Sequence, residues 1–396
     1  MIGICDSPLV LVRRLRSREG LIWLDSAEAG PGAVSLLACE PSEILRGNIA
    51  TESDPIRAKL VEHSAPGASG GLIGWVGFGG EYVLGVYPRC AVFDHDTGLW
   101  HDPGGLICQG AVEKESAAAP VLDFQSSVGR EKFMAMVEHA HEFIAAGDIY
   151  QVNLSYPWIA LWPAEADELA FYEKLRTVSP APFSAYANLG GTTLFSASPE
   201  CFLDMQGREI VTRPIKGTRP RFPAHAARDA EASAELLGSE KERAELLMIT
   251  DLERNDLGQV CEFGSVTVPQ LWAVESFAQV HHLVSTVRGT LRPEVDHVSA
   301  LASCFPGGSI SGAPKGRALE IIAQLEETPR GIYTGAIGYF GFDGRSQFNI
   351  AIRTAVKQGD TIRFQVGAGI VADSIPEREW EETLHKASGL LRAAQV

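Results

Sequence analysis

The chain has 396 residues, 45% apolar and 21% charged, which is enough material for a sizeable core. Lys plus Arg number 34 against 50 Asp plus Glu, a formal net charge of −16, and that balance argues against a general binder of nucleic acid or anionic membrane. No apolar run approaches the ~18–20 residues of a spanning helix, Met1–Asp6 lacks the basic-then-apolar pattern of a leader, and the seven Cys are scattered with no C-x-x-C pair; a soluble, cytoplasmic enzyme with reduced thiols is expected.

Residues 1–125 read as strand-rich and turn-rich. Short apolar runs at Leu21–Leu24, Val34–Leu37 and Gly71–Phe78 are punctuated by Gly30-Pro31-Gly32 and Pro66-Gly67. The polar, Ala-rich stretch Ala111–Ser127 is the best linker candidate, which divides the chain into 1–125 and 126–396. From Gly129 the pattern becomes helical: Phe133, Met136, Val137, Ala140 and Phe143–Ile144 recur at helix spacing, and Gly147 is placed to end the segment. Strands are expected at Tyr150–Leu154, Phe183–Asn188, Thr193–Ser196 and Cys201–Met205. Helices are expected at Ser239–Ile249 and Pro314–Leu325, the second with Pro near its first position. Three apolar runs, Tyr333–Phe340, Phe348–Ala355 and Ile362–Val366, read as neighbouring strands before a closing helix over Pro376–Arg392. Strands grouped in runs, with helices between the runs, indicate an α+β fold.

Two glycine patterns carry little. Gly307–Lys315 lacks the Gly-Lys-Ser/Thr of a nucleotide phosphate loop, and Gly367–Ala372 matches G-x-G-x-x-A but is followed by Asp373, Ser374 and Pro376 where a helix should already run. Thr212–Arg221 says more. Arg213, Lys216, Arg219 and Arg221 place four cations within nine residues. Neighbouring cations favour the neutral amine of a lysine, which prepares it as a nucleophile, and arginines suit carboxylate recognition; the alternative is a solvated basic loop. Glu242 and Glu245 lie three apart, as do Glu379 and Glu382, so each pair shares a helix face. Two such helices facing each other would make an oxygen-rich site suited to Mg²⁺. The competing readings are structural: Ser239-x-x-Glu242 is a capping-box pattern, and acids at a helix start are favoured by its dipole. Ser309–Lys315 before a helix is either an anion-binding start or a plain Gly/Pro turn.

Together these motifs resemble the chorismate-utilising enzymes, the family of component I of anthranilate and aminodeoxychorismate synthases with isochorismate and salicylate synthases as cousins. The resemblance runs in order through Gly147–Leu154, Ser198-Pro199-Glu200, Arg213–Arg219, Lys241–Glu245, Asp251–Gly258, His282–Ser285, Ser311–Lys315, Gly335–Phe342, Ile350–Thr354, Gly367–Ser374 and Glu379–Thr383. In the first 125 residues only Gly70–Gly74 resembles the family's glycine-rich strand. The fold it implies is two β-sheets packed as a sandwich with helices outside, the two regions intertwined in one body.

The resemblance also implies a site. Lys216 stands where members that make 4-amino-4-deoxychorismate carry lysine and anthranilate synthases carry alanine. Gln151 stands where the water-adding cousins carry a basic lysine. Both differences point to 4-amino-4-deoxychorismate formation toward 4-aminobenzoate and folate, with anthranilate synthesis and a non-catalytic regulatory homologue as the alternatives. Lys216 would be the nucleophile, Glu200 the general acid and His282 the orienting group beside the leaving hydroxyl. Ser309, Tyr333, Arg353, Gly367, Gly369, Lys386, Thr218 and Gln151 would hold substrate, and Glu245 and Glu382, with Glu242 and Glu379, would bind Mg²⁺. Departures from the family pattern at Cys201, Leu246, Gln259 and Ser155–Trp158 remove no catalytic group. No Gly-x-Cys-x-Gly turn surrounds any Cys, so ammonia is expected from a separate glutamine amidotransferase subunit. The chain ends soon after the last family helix, so a fused lyase is not expected and aminodeoxychorismate would be the released product.

Overall fold

The computed structural model describes residues 7–28, 30, 32–64, 68–107, 118–277 and 279–395. Among them, two antiparallel sheets lie face to face. The first sheet runs, in spatial order, β17 (Gly312–Ala313), β9 (Gln151–Leu161), β21 (Thr361–Ile370), β20 (Thr354–Gln358), β11 (Thr192–Ser198), β10 (Phe183–Leu189), β1 (Ile22–Asp25), β2 (Val34–Ala38), β6 (Ala91–Asp94) and β7 (Leu99–His101), with β8 (Gln125–Ser126) also on β9. The second runs β14 (Ile215–Pro220), β16 (Val280–Thr290), β13 (Glu209–Arg213), β12 (Cys201–Gln206), β19 (Arg345–Asn349), β18 (Ala336–Gly341), β4 (Gly71–Val76), β5 (Glu81–Tyr87) and β3 (Glu43–Asn48), with β15 (Thr267–Ser276) also on β16. Strands from before and after residue 125 share both sheets.

The alternation of apolar residues along the strands explains the layers. Ile22, Ala185, Leu194 and Val356 of the first sheet meet Ile73, Trp75, Tyr87 and Ile337 of the second in one cluster between the sheets. The outer face of the first sheet is covered by α1 (Pro8–Leu15), α3 (Arg130–Ala145), α4 (Glu168–Val178), α8 (Lys315–Leu325) and α9 (Pro376–Ala393), around Phe133, Phe171, Phe195 and Phe364. The second sheet is covered by α2 (Asp54–His63), α6 (Glu240–Gly258) and α7 (His297–Cys304), around Phe202, Phe340 and Phe348. A further helix, α5 (Ala226–Gly238), packs on β14–β16. This is the sandwich expected from the motifs. No helix among the described residues is long and apolar enough to cross a membrane. Cys39, Cys90, Cys201, Cys261 and Cys304 are free and buried; Cys5 and Cys108 lie outside the described residues.

Several expected elements differ. Phe348–Ala355 is not one strand: β19 ends at Asn349 in the second sheet and β20 begins at Thr354 in the first. The run is apolar throughout because it crosses the core between the sheets, and an apolar run alone does not say whether the chain stays in one plane. The strand expected at Tyr150–Leu154 continues to Leu161 through Pro157. Proline is tolerated there because β9 lies beside the sheet's edge, and its carbonyl still accepts the Ser127 N–H at 3.2 Å. The strand expected from Tyr333 begins at Ala336, after a turn in which Thr334 has φ +59°. Helix α6 runs to Gly258, nine residues beyond the expected Ile249. The linker expected at Ala111–Ser127 falls partly on 111–117, outside the described residues. Its remainder is anchored: Leu122 N–H bonds Ala394 O at 2.9 Å, and Phe124 packs edge-on against Phe364.

Candidate active site

Two neighbouring crossovers between the sheets build the buried end of the site. One joins β11 to β12 through Pro199 and Glu200; the other joins β19 to β20 through residues 350–353. They are tied together. Ile350 N–H donates to Glu200 O at 3.1 Å, Ser198 Oγ donates to Ile350 O at 2.6 Å, and Ala197 N–H donates to Arg353 O at 3.1 Å. Arg353 holds φ +50°, a left-handed conformation costly for a residue with a side chain. Chain that leaves a sheet cannot complete the ladder, so its side chains are free to line a space between the sheets.

Glu200 is 7% exposed and accepts a hydrogen bond from Ser309 Oγ at 2.8 Å. Burial raises its pKa above the usual carboxylate range; the Ser309 bond and the charges of Lys216, Lys386 and Arg353 pull the other way. A raised carboxyl is what a general acid needs. The Arg353 guanidinium makes no hydrogen bond or ion pair with a described residue, although Glu200 acts on it electrostatically. His282 is buried, and its Nδ1 lies 3.0 Å from Thr218 Oγ1. Burial, reinforced by the charge of Arg353, pushes its pKa down to about 4, against a hydrogen bond with the Gly217 backbone. The imidazole is therefore neutral at physiological pH. Tyr333 is also buried, which raises its phenol pKa.

Lys216 comes from β14, where the pairing with β16 slips between Lys216 and Thr218. Gly217 makes the slip possible: it has φ +72°, and a Cβ there would sit 2.8 Å from Leu236 and 2.9 Å from the Glu242 carboxylate. Across the site, a Cβ at Gly369 would lie 2.8 Å from Gln151 Nε2 and 3.7 Å from Lys216 Nζ. Glycine thus leaves open the space on which the lysine and the amide converge. Gln151 Nε2 is buried with no hydrogen-bond partner.

The cationic run resolves differently from the expectation. Arg213 pairs with Glu275, Arg219 with Glu235 and Glu242, and Arg221 with Asp229. Protein carboxylates therefore occupy the arginines, which neither gather around Lys216 nor offer a receptor. Lys216 instead lies within electrostatic reach of Glu200, Glu245 and Glu382. The proposed anion-binding start at Ser309–Lys315 is closed as well: Gly312–Ala313 pairs with β9, and Lys315 Nζ is held by Asp256 at 2.6 Å and Cys304 O at 3.0 Å.

The second end is an acidic rim formed by α6 and α9. Ser239 caps α6, its Oγ accepting from Glu242 N–H at 3.4 Å, but the other half of the capping box is not made: Ser239 N–H donates to Leu236 O at 3.3 Å and the Glu242 carboxylate leans on Arg219. Burial raises the pKa of Glu245, opposed by Lys216 and Lys241 and assisted by Glu242 and Glu382. Burial also raises that of Glu379, with Glu382 adding to it, while Lys386 holds that of Glu382 down. The four glutamates thus feel one another. Cations lean on three of them: Lys241 on Glu245 at 3.7 Å, Lys386 on Glu382 at 2.7 Å and Arg219 on Glu242 at 3.7 Å. Lys386 Nζ also donates to Gly367 O at 2.9 Å. Among the described residues no three His, Cys, Asp or Glu side chains are grouped closely enough to hold an ion. The donor type, two carboxylates on each of α6 and α9, is the one a hard divalent cation such as Mg²⁺ takes. Holding one would require the lysines to yield carboxylate oxygens to it.

One buried acid was missed from the sequence. Glu253 is 2% exposed and lies against the turn that carries Ser309. Its signal was legible: Leu246, Ile249, Thr250, Glu253, Asp256 and Leu257 form the buried stripe of α6, and two of those positions are acidic.

A family model described as chorismate binding enzyme matches residues 100–392. "Anthranilate synthase component 1 3" of Haloarcula marismortui is 46% identical over 282 residues, 71% of this chain and 56% of that protein. The chain spans little more than half the length of this relative. Aminodeoxychorismate synthase component 1 of Bacillus subtilis is 34% identical over 441 residues, 96% of this chain and 93% of that protein. Several further relatives bear the name anthranilate synthase component 1. Among solved structures, anthranilate synthase component I from Streptococcus pneumoniae TIGR4 aligns with TM-score 0.79 and 30% identity over 98% of both chains.

Proposed function

The chain belongs to the chorismate binding enzymes, and on that premise we propose that it converts chorismate and ammonia to 4-amino-4-deoxychorismate, with Lys216 as a covalent nucleophile. The observation that carries this reading is the place of Lys216: its amine faces the Gly369 backbone beside Gln151 and lies within reach of the buried acid Glu200. A nucleophilic amine next to a shielded proton donor is the pair that a two-step displacement needs.

In the first step the free amine of Lys216 attacks ring carbon C2. The ring double bonds shift, the C4–O bond breaks, and the hydroxyl leaves as water with the proton of Glu200. In the second step ammonia attacks C4, the double bonds shift back, and the C2–N bond to Lys216 breaks. The proton shed by the new amine returns to Glu200. Neutral His282 orients the region of the departing hydroxyl, and the unpaired Arg353, with Tyr333 and the backbone at Gly369, receives the enolpyruvyl carboxylate. Mg²⁺ held by Glu242, Glu245, Glu379 and Glu382 would supply positive charge for the ring carboxylate and for the charge growing on the leaving oxygen. Lys386, which bonds Glu382 and Gly367 O, would touch the same carboxylate. Ammonia would come from a glutamine amidotransferase subunit.

The test is product analysis with chorismate, Mg²⁺ and ammonium, followed by aminodeoxychorismate lyase. 4-Aminobenzoate appearing only after the lyase is the expected result. The names of most relatives favour a second reading, anthranilate synthase component I. Fluorescent anthranilate and pyruvate formed directly, without the lyase, would establish that one instead.

A further inference from the structure

Behind Glu200 lies a second buried carboxyl for which the reaction above has no use. Glu253 sits in the middle of the buried stripe of α6, against the turn that carries Ser309, whose Oγ donates to Glu200 Oε1 at 2.8 Å. Glu253 Oε2 is buried with no partner at all. The fit is close, since a Cβ at Gly308 would come within 3.3 Å of Glu253 Oε1 and 2.5 Å of Leu252 Cδ2. A glycine is needed where the turn Gly308–Ile310 presses on the helix.

We propose that Glu253 is a positioning residue that works un-ionised, holding the Gly308–Ile310 turn so that the Ser309 hydroxyl stays on the catalytic acid Glu200. A protonated carboxyl packs against the turn without adding a second negative charge beside Glu200. An ionised one would be expensive here, because one of its oxygens has no donor. The groups facing it are Asp256 on its own helix, Lys315 on α8, Glu200 at the crossover and Cys304 at the end of α7. Burial first, then the charge of Asp256, push its pKa up to about 8, against Lys315.

The inference rests on Glu200 as proton donor but not on the identity of the product, so the readout is chorismate disappearance. Turnover is measured from pH ~6 to ~9.5 at constant free ammonia. Wild-type kcat should fall as pH rises through about 8, as Glu253 ionises. E253Q, which stays uncharged, should lose the part of that limb due to Glu253, leaving only the one set by ionisation of Glu200, and retain roughly tenfold more turnover than E253L at neutral pH. The effects of E253L and S309A on kcat should be non-additive, because one acts through the other. An alkaline limb in E253Q equal to that of the wild type, or additive E253L and S309A effects, would overturn the proposal. Should E253L fail to fold, the E253Q profile still decides. Full activity of E200Q would instead remove the underlying reading, and anthranilate as product would leave this test intact.

Discussion

Helix α6 serves both ends of the site and holds its carboxylates in opposite ways. At its start the Glu242 and Glu245 side chains are each 21% exposed and lean on Arg219 and Lys241. Eight residues past Glu245, about 12 Å along the axis, Glu253 is 2% exposed and keeps its proton well above the usual carboxylate range. The rim balances charge with the long side chains of Arg219, Lys241 and Lys386, which a divalent ion would have to displace. The buried end balances charge by protonation, so its acids, Glu200 among them, are set by the fold before substrate arrives. The two ends should therefore fail differently when damaged.

The largest loss is expected at the buried end. E200Q keeps the shape but removes the transferable proton, and kcat should fall by roughly 10²–10⁴-fold with Mg²⁺ dependence unchanged. A loss of only a few-fold would mean that the proton comes from elsewhere. At the rim the pattern should invert: E382A should move half-saturation by Mg²⁺ upward by on the order of 10–100-fold. An unchanged metal titration would take Glu382 off the ligand list. S309A removes one hydrogen bond to Glu200 and should lower kcat by about tenfold, close to the ~1–2 kcal/mol of one such bond; no change would separate the turn from the acid.

The smallest effects are on stability, and they sharpen the contrast. His282 has its pKa lowered from 6.5 to about 4 in the fold, so its contribution is present above 6.5 and is lost as pH falls toward 4. Glu253 has its pKa raised from 4.5 to about 8, so its contribution is present below 4.5 and is lost as pH rises toward 8. Thermal unfolding of H282Q should lose part of the slope between pH 6.5 and about 4, and E253Q part of the opposite slope between pH 4.5 and about 8, each by roughly 1–3 kcal/mol. Slopes identical to wild type would show that these groups titrate as they do in the unfolded chain.

The pieces of the site legible in the sequence are those whose role is local or motif-borne. Lys216, Glu200, Ser309 and the two glutamate pairs were named from their spacing and family pattern, and Ser309 meets Glu200 as a hydrogen bond. The layers were legible because the apolar alternation of the strands reports burial directly. What escaped depends on distant partners. Arg213, Arg219 and Arg221 read as a cationic patch because Glu275, Asp229, Glu235 and Glu242 belong to other elements. The switch at 350–353 was hidden inside a continuous apolar run. Glu253 falls on the helical stripe of α6, yet an acid within a helix motif reads as a solvated residue until the opposite turn, Gly308–Ile310, is seen to cover it.

Mass spectrometry of the enzyme incubated with chorismate and Mg²⁺ in the absence of ammonia tests the role of Lys216 most directly. A mass gain of chorismate minus water, mapping to the Lys216 peptide and discharged by added ammonium as product forms, is the expected result. No such adduct on wild type, together with undiminished 4-aminobenzoate output from K216A in the lyase-coupled assay, would contradict it.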